Sequence, residues 1–323
     1  MEPKIPAPPY DEELAKTLST LNFPVTITPD LIPAIRARPP PTLSSLLAPH
    51  PTITHTSLSI PGPLGPIPLS LFRSSSPSSN SNSQPHPTIL WFHGGGFFSG
   101  HPFTGLSNLL PFTTTHNALI ATPTYRLAPE FPDPAPLNDC YAALLYLSSH
   151  PLINPHKIML AGSSAGAGLA AGVALFARDH AGPKIEALML QAPMLDDRLK
   201  TASSWQFVDS GTFSRGSAEM GWGALLGERR GAEGEGVVSG YAAPGREGEL
   251  GGLPEVFCEV GSAEVFRDEV VQFVDRIWRA GGKAELHVWA GAFHRWQAFA
   301  PEARVSVEAD GVRGRWIGMV LGR

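Results

Sequence analysis

The chain has 323 residues, 42% hydrophobic and 16% charged, which is enough to bury the core of one large α/β domain with or without a covering unit. Its formal net charge is −5, and no Lys/Arg-rich stretch is dense enough to serve as a nucleic-acid footprint, so binding of a polyanion is excluded as its main task. No run approaches the roughly 20 apolar residues of a membrane span, no apolar signal core follows Met1, and Cys140 and Cys258 each sit in an apolar run; the expectation is a cytoplasmic protein with packed thiols and no membrane partner.

Residues 1 to about 50 are proline-rich. They carry one helical patch that Asp11 can cap, with Leu14, Leu18 and Leu21 on one face, and a second short patch from Asp30 through Leu31 and Ile35. Neither is a domain, and both read as a segment that packs over something else. Residues 52–73 form two strands about the Pro61–Pro66 turn, and Ile67, Leu69 and Leu71 alternate as a half-buried strand should. The Ser/Asn/Pro stretch 74–87 is low-complexity and reads as an exposed loop.

Thr88–Phe92 is a short apolar run without alternation, as expected of a central strand covered on both faces. It runs into His93-Gly94-Gly95-Gly96. Ala118–Thr122 predicts a further strand, 137–147 a helix, Lys157–Ser163 a strand followed at once by a small-residue helix, and 185–191 another strand. Strand and helix in alternation imply a mostly parallel sheet with helices on both faces. Residues 194–250 are too long for a simple connection and read as an insert with a mobile or disordered Gly/Glu-rich middle at 227–236. A strand at 254–260, a helix at 267–279, a strand at 284–289 and a closing helix from about Pro301 complete the chain.

The chemistry is sought first at Gly162-Ser163-Ser164-Ala165-Gly166, between a buried strand and a helix. A serine at such a turn is pushed out with its hydroxyl exposed, and the next N–H points into the same space. Ser164 is therefore the candidate nucleophile. A serine needs a base, an acid to orient that base, and donors for the oxyanion. The base is due in a loop after the last strand, where His294 stands; His287 lies within the strand and His93 precedes the serine. The acid is due just after the preceding strand, where Glu264 and Asp268 are both available. Asp268, in the first turn of a helix, has a structural reason to exist, so Glu264 is preferred. The oxyanion donors are the N–H of Ala165 and those of the glycine run, Gly95 and Gly96, with Gly94 as a further candidate. His93 reads as a brace for that loop.

Taken together, the chain resembles the hormone-sensitive-lipase-like family of α/β-hydrolases. The resemblance rests on His93–Phe97, Tyr125–Glu130 with Asp139, Gly162–Gly166, Pro193–Arg198, Ser239–Pro244 with Gly252–Pro254, Glu264–Glu269 and the His294 loop, in family order over roughly 52–323. Two positions depart from the family pattern: Ser163 stands where an Asp is usual, and Glu264 where the acid is usually Asp. The resemblance implies an α/β-hydrolase fold over 51–323 and a lid built from residues 1–50 and the insert at about 195–250. It implies a serine esterase for short-chain or small-molecule esters, acetyl or aromatic among them, working through an acyl-enzyme. Trp91, Phe97, Phe98, Trp205 and Phe213 are expected to wall its site. No cofactor or metal is needed, the partner is a small-molecule ester, and either a monomer or a homodimer fits. Arg126, Glu130 and Asp139 are expected to tie the loop under the site. A lyase or receptor on the same fold, or an amide hydrolase, remains open at the level of sequence.

Overall fold

The computed structural model describes residues 5–75, 85–234 and 236–322. Most of the Ser/Asn/Pro stretch, 76–84, lies outside them. The N-terminal segment carries three short helices: α1 (Glu12–Thr20), α2 (Ile32–Arg36) and α3 (Leu43–Leu47). Asp11 caps α1 by accepting the N–H groups of Glu13 and Leu14 at 2.9 and 3.2 Å, so two of the four orphan donors at that end are satisfied. The expected apolar face is real at Leu14, which is fully buried against Ala292, Phe293 and Trp296.

The sheet follows. It contains β1 (Ile53–Ile60), β2 (Ile67–Ser74), β3 (His86–Phe92), β4 (Leu119–Pro123), β5 (Ile153–Ser163), β6 (Ala187–Gln191), β7 (Glu255–Gly261) and β8 (Ala284–Trp289), in the order β1-β2-β4-β3-β5-β6-β7-β8. The pairings β1/β2 and β2/β4 are antiparallel and every other one is parallel. Strand β3 meets the expectation for a doubly covered strand. Leu90 and Phe92 join the core packed under α5 (Ala135–Ser148), α6 (Ala165–Asp179) and α9 (Arg267–Arg279). Ile89 and Trp91 join the opposite core, closed by α4 (Phe112–Thr115) and α11 (Arg304–Leu321). Because the side-chain period of a strand is two, such a strand shows no polar alternation.

The insert after β6 holds α7 (Ala202–Gln206) and α8 (Arg215–Leu226), and its Gly/Glu-rich middle is tied down at Gly231 and Ala232. Asp197, with its carboxylate buried, pairs with Arg246 at 2.5 Å and accepts the Gly231 N–H at 2.6 Å, while Arg246 also donates to the Ala232 carbonyl at 2.9 Å. One buried carboxylate thus gathers three separate stretches of the insert, a long-range pattern invisible to composition. The short helix α10 (Trp296–Phe299) precedes α11, which starts at Arg304 rather than Pro301. Among the described residues no helix is long and apolar enough to cross a membrane.

Candidate active site

The site forms where the carboxyl ends of β3, β5, β7 and β8 meet. Ser164 sits between β5 and α6 with φ 56° and ψ −123°, a backbone conformation that a non-glycine residue adopts only when its surroundings enforce it. Two glycines allow the closure. A Cβ on Gly162 would stand 2.4 Å from the Gly166 carbonyl oxygen, and one on Gly166 would stand 2.2 Å from that of Phe92. The Ser164 N–H is spent on the Gln191 carbonyl at 2.8 Å, tying the turn to the end of β6.

The loops after β7 and β8 are laced to one another. Ser262 donates its N–H to Trp289 O at 2.8 Å, Ala263 donates to Ala292 O at 3.0 Å, and the Ser262 hydroxyl accepts from Gly291 N at 2.8 Å. This lacing sets Glu264 beside His294. Glu264 Oε2 lies 3.0 Å from His294 Nδ1, and His294 Nε2 lies 3.0 Å from Ser164 Oγ. A carboxylate only accepts, so Nδ1 carries the proton, Nε2 is the acceptor, and Ser164 donates its hydroxyl hydrogen to it. The rings of Phe213 and Phe266 flank the imidazole at 5.4 and 5.2 Å, and Thr212 Oγ1 donates to the His294 carbonyl at 2.6 Å. Asp268 is elsewhere: its carboxylate accepts the Ser203 N–H and Arg267 Nε, both at 2.7 Å, which closes the first turn of α9 onto α7.

Gly95 has φ +133° and Gly96 φ +61°, and a Cβ on Gly95 would stand 2.0 Å from Ser99 O. Only glycine fits that turn. Among the described residues no protein acceptor takes the N–H of Gly94, Gly95 or Gly96. The N–H of Ala165 opens α6, where intrahelical partners do not exist. Gly95, Gly96, Ser164 and His294 line one cavity of about 180 Å³. Gly94 and Ser163 line a second, of about 380 Å³, behind the glycine loop.

His93 lies under the loop. Its Nδ1 is 2.8 Å from the Gly94 carbonyl, its ring stacks on Tyr125 at 4.3 Å, and Tyr125 Oη donates to the His93 carbonyl at 2.6 Å. Burial, partly offset by the bond to Gly94, lowers its pKa to about 4, so the ring is neutral at neutral pH. Asp139 holds Arg126 at 2.5 Å, and Glu130 holds Arg36 at 2.7 Å.

Of the five rings expected to wall the site, two do so. Phe98 and Phe213 line the cavity, joined by Phe23 and Phe299. Trp91 instead donates to Thr104 O on the far side of the glycine loop, Phe97 packs on Trp222 at 5.0 Å in the core, and Trp205 lies exposed over the Arg215 guanidinium at 3.7 Å. Sequence reasoning also missed Glu269. Its buried carboxyl accepts the N–H of Leu195 at 2.7 Å and that of Asp196 at 3.4 Å, and burial pushes its pKa well above the carboxylate range. It fixes the chain where the insert leaves β6, and its sequence signal was its place at the end of the Glu264–Glu269 stretch.

This geometry is that of an elbow serine on a mostly parallel sheet, and comparison with known proteins agrees. The chain belongs to the alpha/beta hydrolase fold family, whose model matches residues 89–298. It is 28% identical to the esterase LipI of Mycobacterium tuberculosis over 94% of this chain and 92% of that protein. An acetyl-hydrolase of Streptomyces hygroscopicus is 29% identical over 69% of this chain and 74% of that protein. Among solved structures, a bacterial heroin esterase superposes with TM-score 0.85 and 34% identity, covering 97% of this chain and 98% of that one. The protein is a carboxylic ester hydrolase of the hormone-sensitive-lipase-like kind.

Proposed function

We propose that Ser164, His294 and Glu264 carry out ester hydrolysis through an acyl-enzyme. The observation behind this is the pair of 3.0 Å contacts running from Glu264 through His294 to Ser164 Oγ at the wall of a cavity that Gly95 and Gly96 also line. Ser164 Oγ attacks the ester carbonyl as its proton passes to His294 Nε2, and the carbonyl electron pair moves to oxygen. The N–H groups of Gly95, Gly96 and Ala165 receive that oxyanion. Collapse breaks the bond to the leaving alkoxide, which takes the proton from Nε2. Water repeats the sequence on the acyl-enzyme and releases the acid. The Glu264 carboxylate, at 3.0 Å from Nδ1, steadies the imidazolium.

The preferred acyl groups are short, acetyl among them. The cavity, at about 180 Å³, is smaller than the ~300–1,000 Å³ of ordinary ligand pockets, and the names of the acetyl-hydrolase and the heroin esterase point the same way. The N-terminal segment and the insert act together as the lid, a reading supported by Phe23, Ile27 and Ile35 from the first and Thr212 and Phe213 from the second on the cavity wall. Two buried free thiols, Cys140 and Cys258, favour a cytoplasmic setting.

The test is hydrolysis of p-nitrophenyl acetate, butyrate and palmitate by the wild type and three variants. Ser164→Ala is expected to lower turnover of acetate and butyrate by about 10⁴-fold or more. Glu264→Ala should follow it closely while folded Asp268→Ala stays within about tenfold of wild type. Turnover that survives Ser164→Ala, or that is lost in Asp268→Ala alone, removes this assignment.

A further inference from the structure

The cavity at Ser164 has an unbalanced charge. Apart from His294 and three small hydroxyl residues, Ser99, Ser164 and Thr212, its lining is apolar or glycine, except for two guanidiniums, Arg38 and Arg295, and no carboxylate lines it. Arg38 lies exposed at the rim, with its guanidinium 5.6 Å from the centre of the Phe23 ring. Arg295 follows His294 directly, in the left-handed conformation at φ 58°, and lines both this cavity and the larger one behind the glycine loop. Among the described residues neither guanidinium has a carboxylate partner, in contrast to Arg126, Arg246 and Arg313, which are all paired with acids. Burial lowers the pKa of Arg295, with no neighbouring acid to oppose the shift.

Arg295 is half-buried and Arg38 exposed, so a missing counter-ion costs Arg295 the more, because a partly desolvated cation without one is unfavourable. A guanidinium is also the group whose fork best matches a carboxylate. A narrow apolar cleft carrying charge of one sign concentrates ligands of the other. Resting on Ser164 as the nucleophile, we infer that this cavity selects esters that bear a carboxylate on their alcohol or acyl part, engaged by Arg38 at the rim and Arg295 further in, over neutral and cationic esters. The free anion then supplies the partner that the chain itself withholds from both arginines.

The experiment compares kcat/KM for matched esters, each normalised to its rate of hydrolysis by hydroxide. On the alcohol side these are 4-acetoxybenzoate, its methyl ester and 4-acetoxy-N,N,N-trimethylanilinium. On the acyl side they are mono-4-nitrophenyl adipate and 4-nitrophenyl hexanoate. In at least one arm the carboxylate ester is expected to be favoured over the neutral one by about tenfold or more at low salt, and by several-fold less at about 0.5 M NaCl. Arg38→Gln and Arg295→Gln should each shrink that ratio by about fivefold, chiefly through KM of the anionic ester, with Arg38→Lys retaining part of it. A ratio near one in both arms, or a ratio that neither variant changes, overturns the inference while leaving ester hydrolysis intact. If Arg295→Gln does not fold, Arg38→Gln and the salt dependence of the wild type decide. Absence of turnover on every ester counts instead against the Ser164 reading. The preference is then read by calorimetry from binding of 4-acetoxybenzoate against its methyl ester, where equal affinities overturn it.

Discussion

His93 illustrates how a residue can shape a reaction without touching the substrate. Its Nδ1 holds the Gly94 carbonyl at 2.8 Å, and its ring packs so closely on Gly100 that a Cβ there would stand 2.3 Å from Nδ1, which fixes both ends of the glycine loop. It does so as a neutral ring, because burial lowers its pKa from 6.5 to about 4, with the charge of Arg295 a small contributor in the same direction. The sign of the pH effect follows. As pH falls below 6.5 the unfolded chain takes up a proton that the folded chain refuses, so stability present at neutral pH is lost between 6.5 and about 4. The loss from this one group is at most about 3 kcal/mol. The melting temperature of the wild type is therefore expected to decline from pH 7 to pH 4.5, and His93→Gln, although less stable at pH 7, should show a shallower decline over that interval. Parallel declines would mean that His93 is not the group responsible. At this scale much was legible in the sequence: the order of serine, acid and histidine limited each role to one or two positions, and the structure brings Ser164, Glu264 and His294 together. The cavity wall was not. Phe23 and Phe299 look like any other aromatic residue in a loop, and which ring faces the serine depends on contacts between segments far apart in the chain.

At the scale of elements, the N-terminal segment is attached around the site through α1, through α2 and, between them, through Ile27, whose N–H donates to Ser217 Oγ of the insert at 2.9 Å. Helix α1 docks on the histidine loop, where Asp11 donates its N–H to Gly291 O at 3.0 Å and Leu14 packs against Phe293. Helix α2 docks on the glycine loop through its last residue. Arg36 Nε donates to Phe98 O at 2.7 Å, Nη2 donates to Ala128 O at 2.8 Å, and both terminal nitrogens meet Glu130 at 2.7 and 2.9 Å. Arg36 holds the Glu130 carboxyl down at about 2, yet the pair is largely exposed, so as an ion pair it is worth about 1 kcal/mol or less. Its value lies in position: Phe98 lines the cavity, and Ile35 of α2 and Arg38 just after it line it too. Arg36→Ala is accordingly expected to shift unfolding stability by less than about 1 kcal/mol. It should raise KM for small esters several-fold and hasten proteolysis within 21–40, because the segment loses its hold on the rim. Unchanged KM and unchanged proteolysis would show that α2 is held by its apolar contacts alone. Helix α1 could be read from Asp11, Leu14 and Leu18 and α2 from Asp30, Leu31 and Ile35, while α3 was not anticipated. Their destination could not, because a three-residue apolar stripe states that a partner exists without naming it.

For the molecule as a whole, one buried cluster joins the sheet to the helix that closes it. Glu259, fully buried in β7, accepts from Gln191 Nε2 and Trp289 Nε1, both at 3.1 Å, and pairs with Arg313 of α11, which in turn meets Asp310. The sequence showed α11 as an apolar stripe ending in Trp316 and Val320, and those residues do close the face opposite α6. Arg313 was unread because it lies next to Val312 on a helix whose charges otherwise look solvated. A buried pair of this kind is weak evidence for net stability, since desolvation offsets attraction, but removing one partner strands the other. Arg313→Met should therefore cost about 3–5 kcal/mol, while Arg313→Met combined with Glu259→Gln, which removes the stranded charge and keeps one acceptor oxygen, enough for either Trp289 or Gln191, should recover part of that. Urea unfolding of the two variants and the wild type measures both quantities. A double variant no more stable than Arg313→Met would mean that the loss comes from packing of the arginine stem rather than from the uncompensated carboxylate.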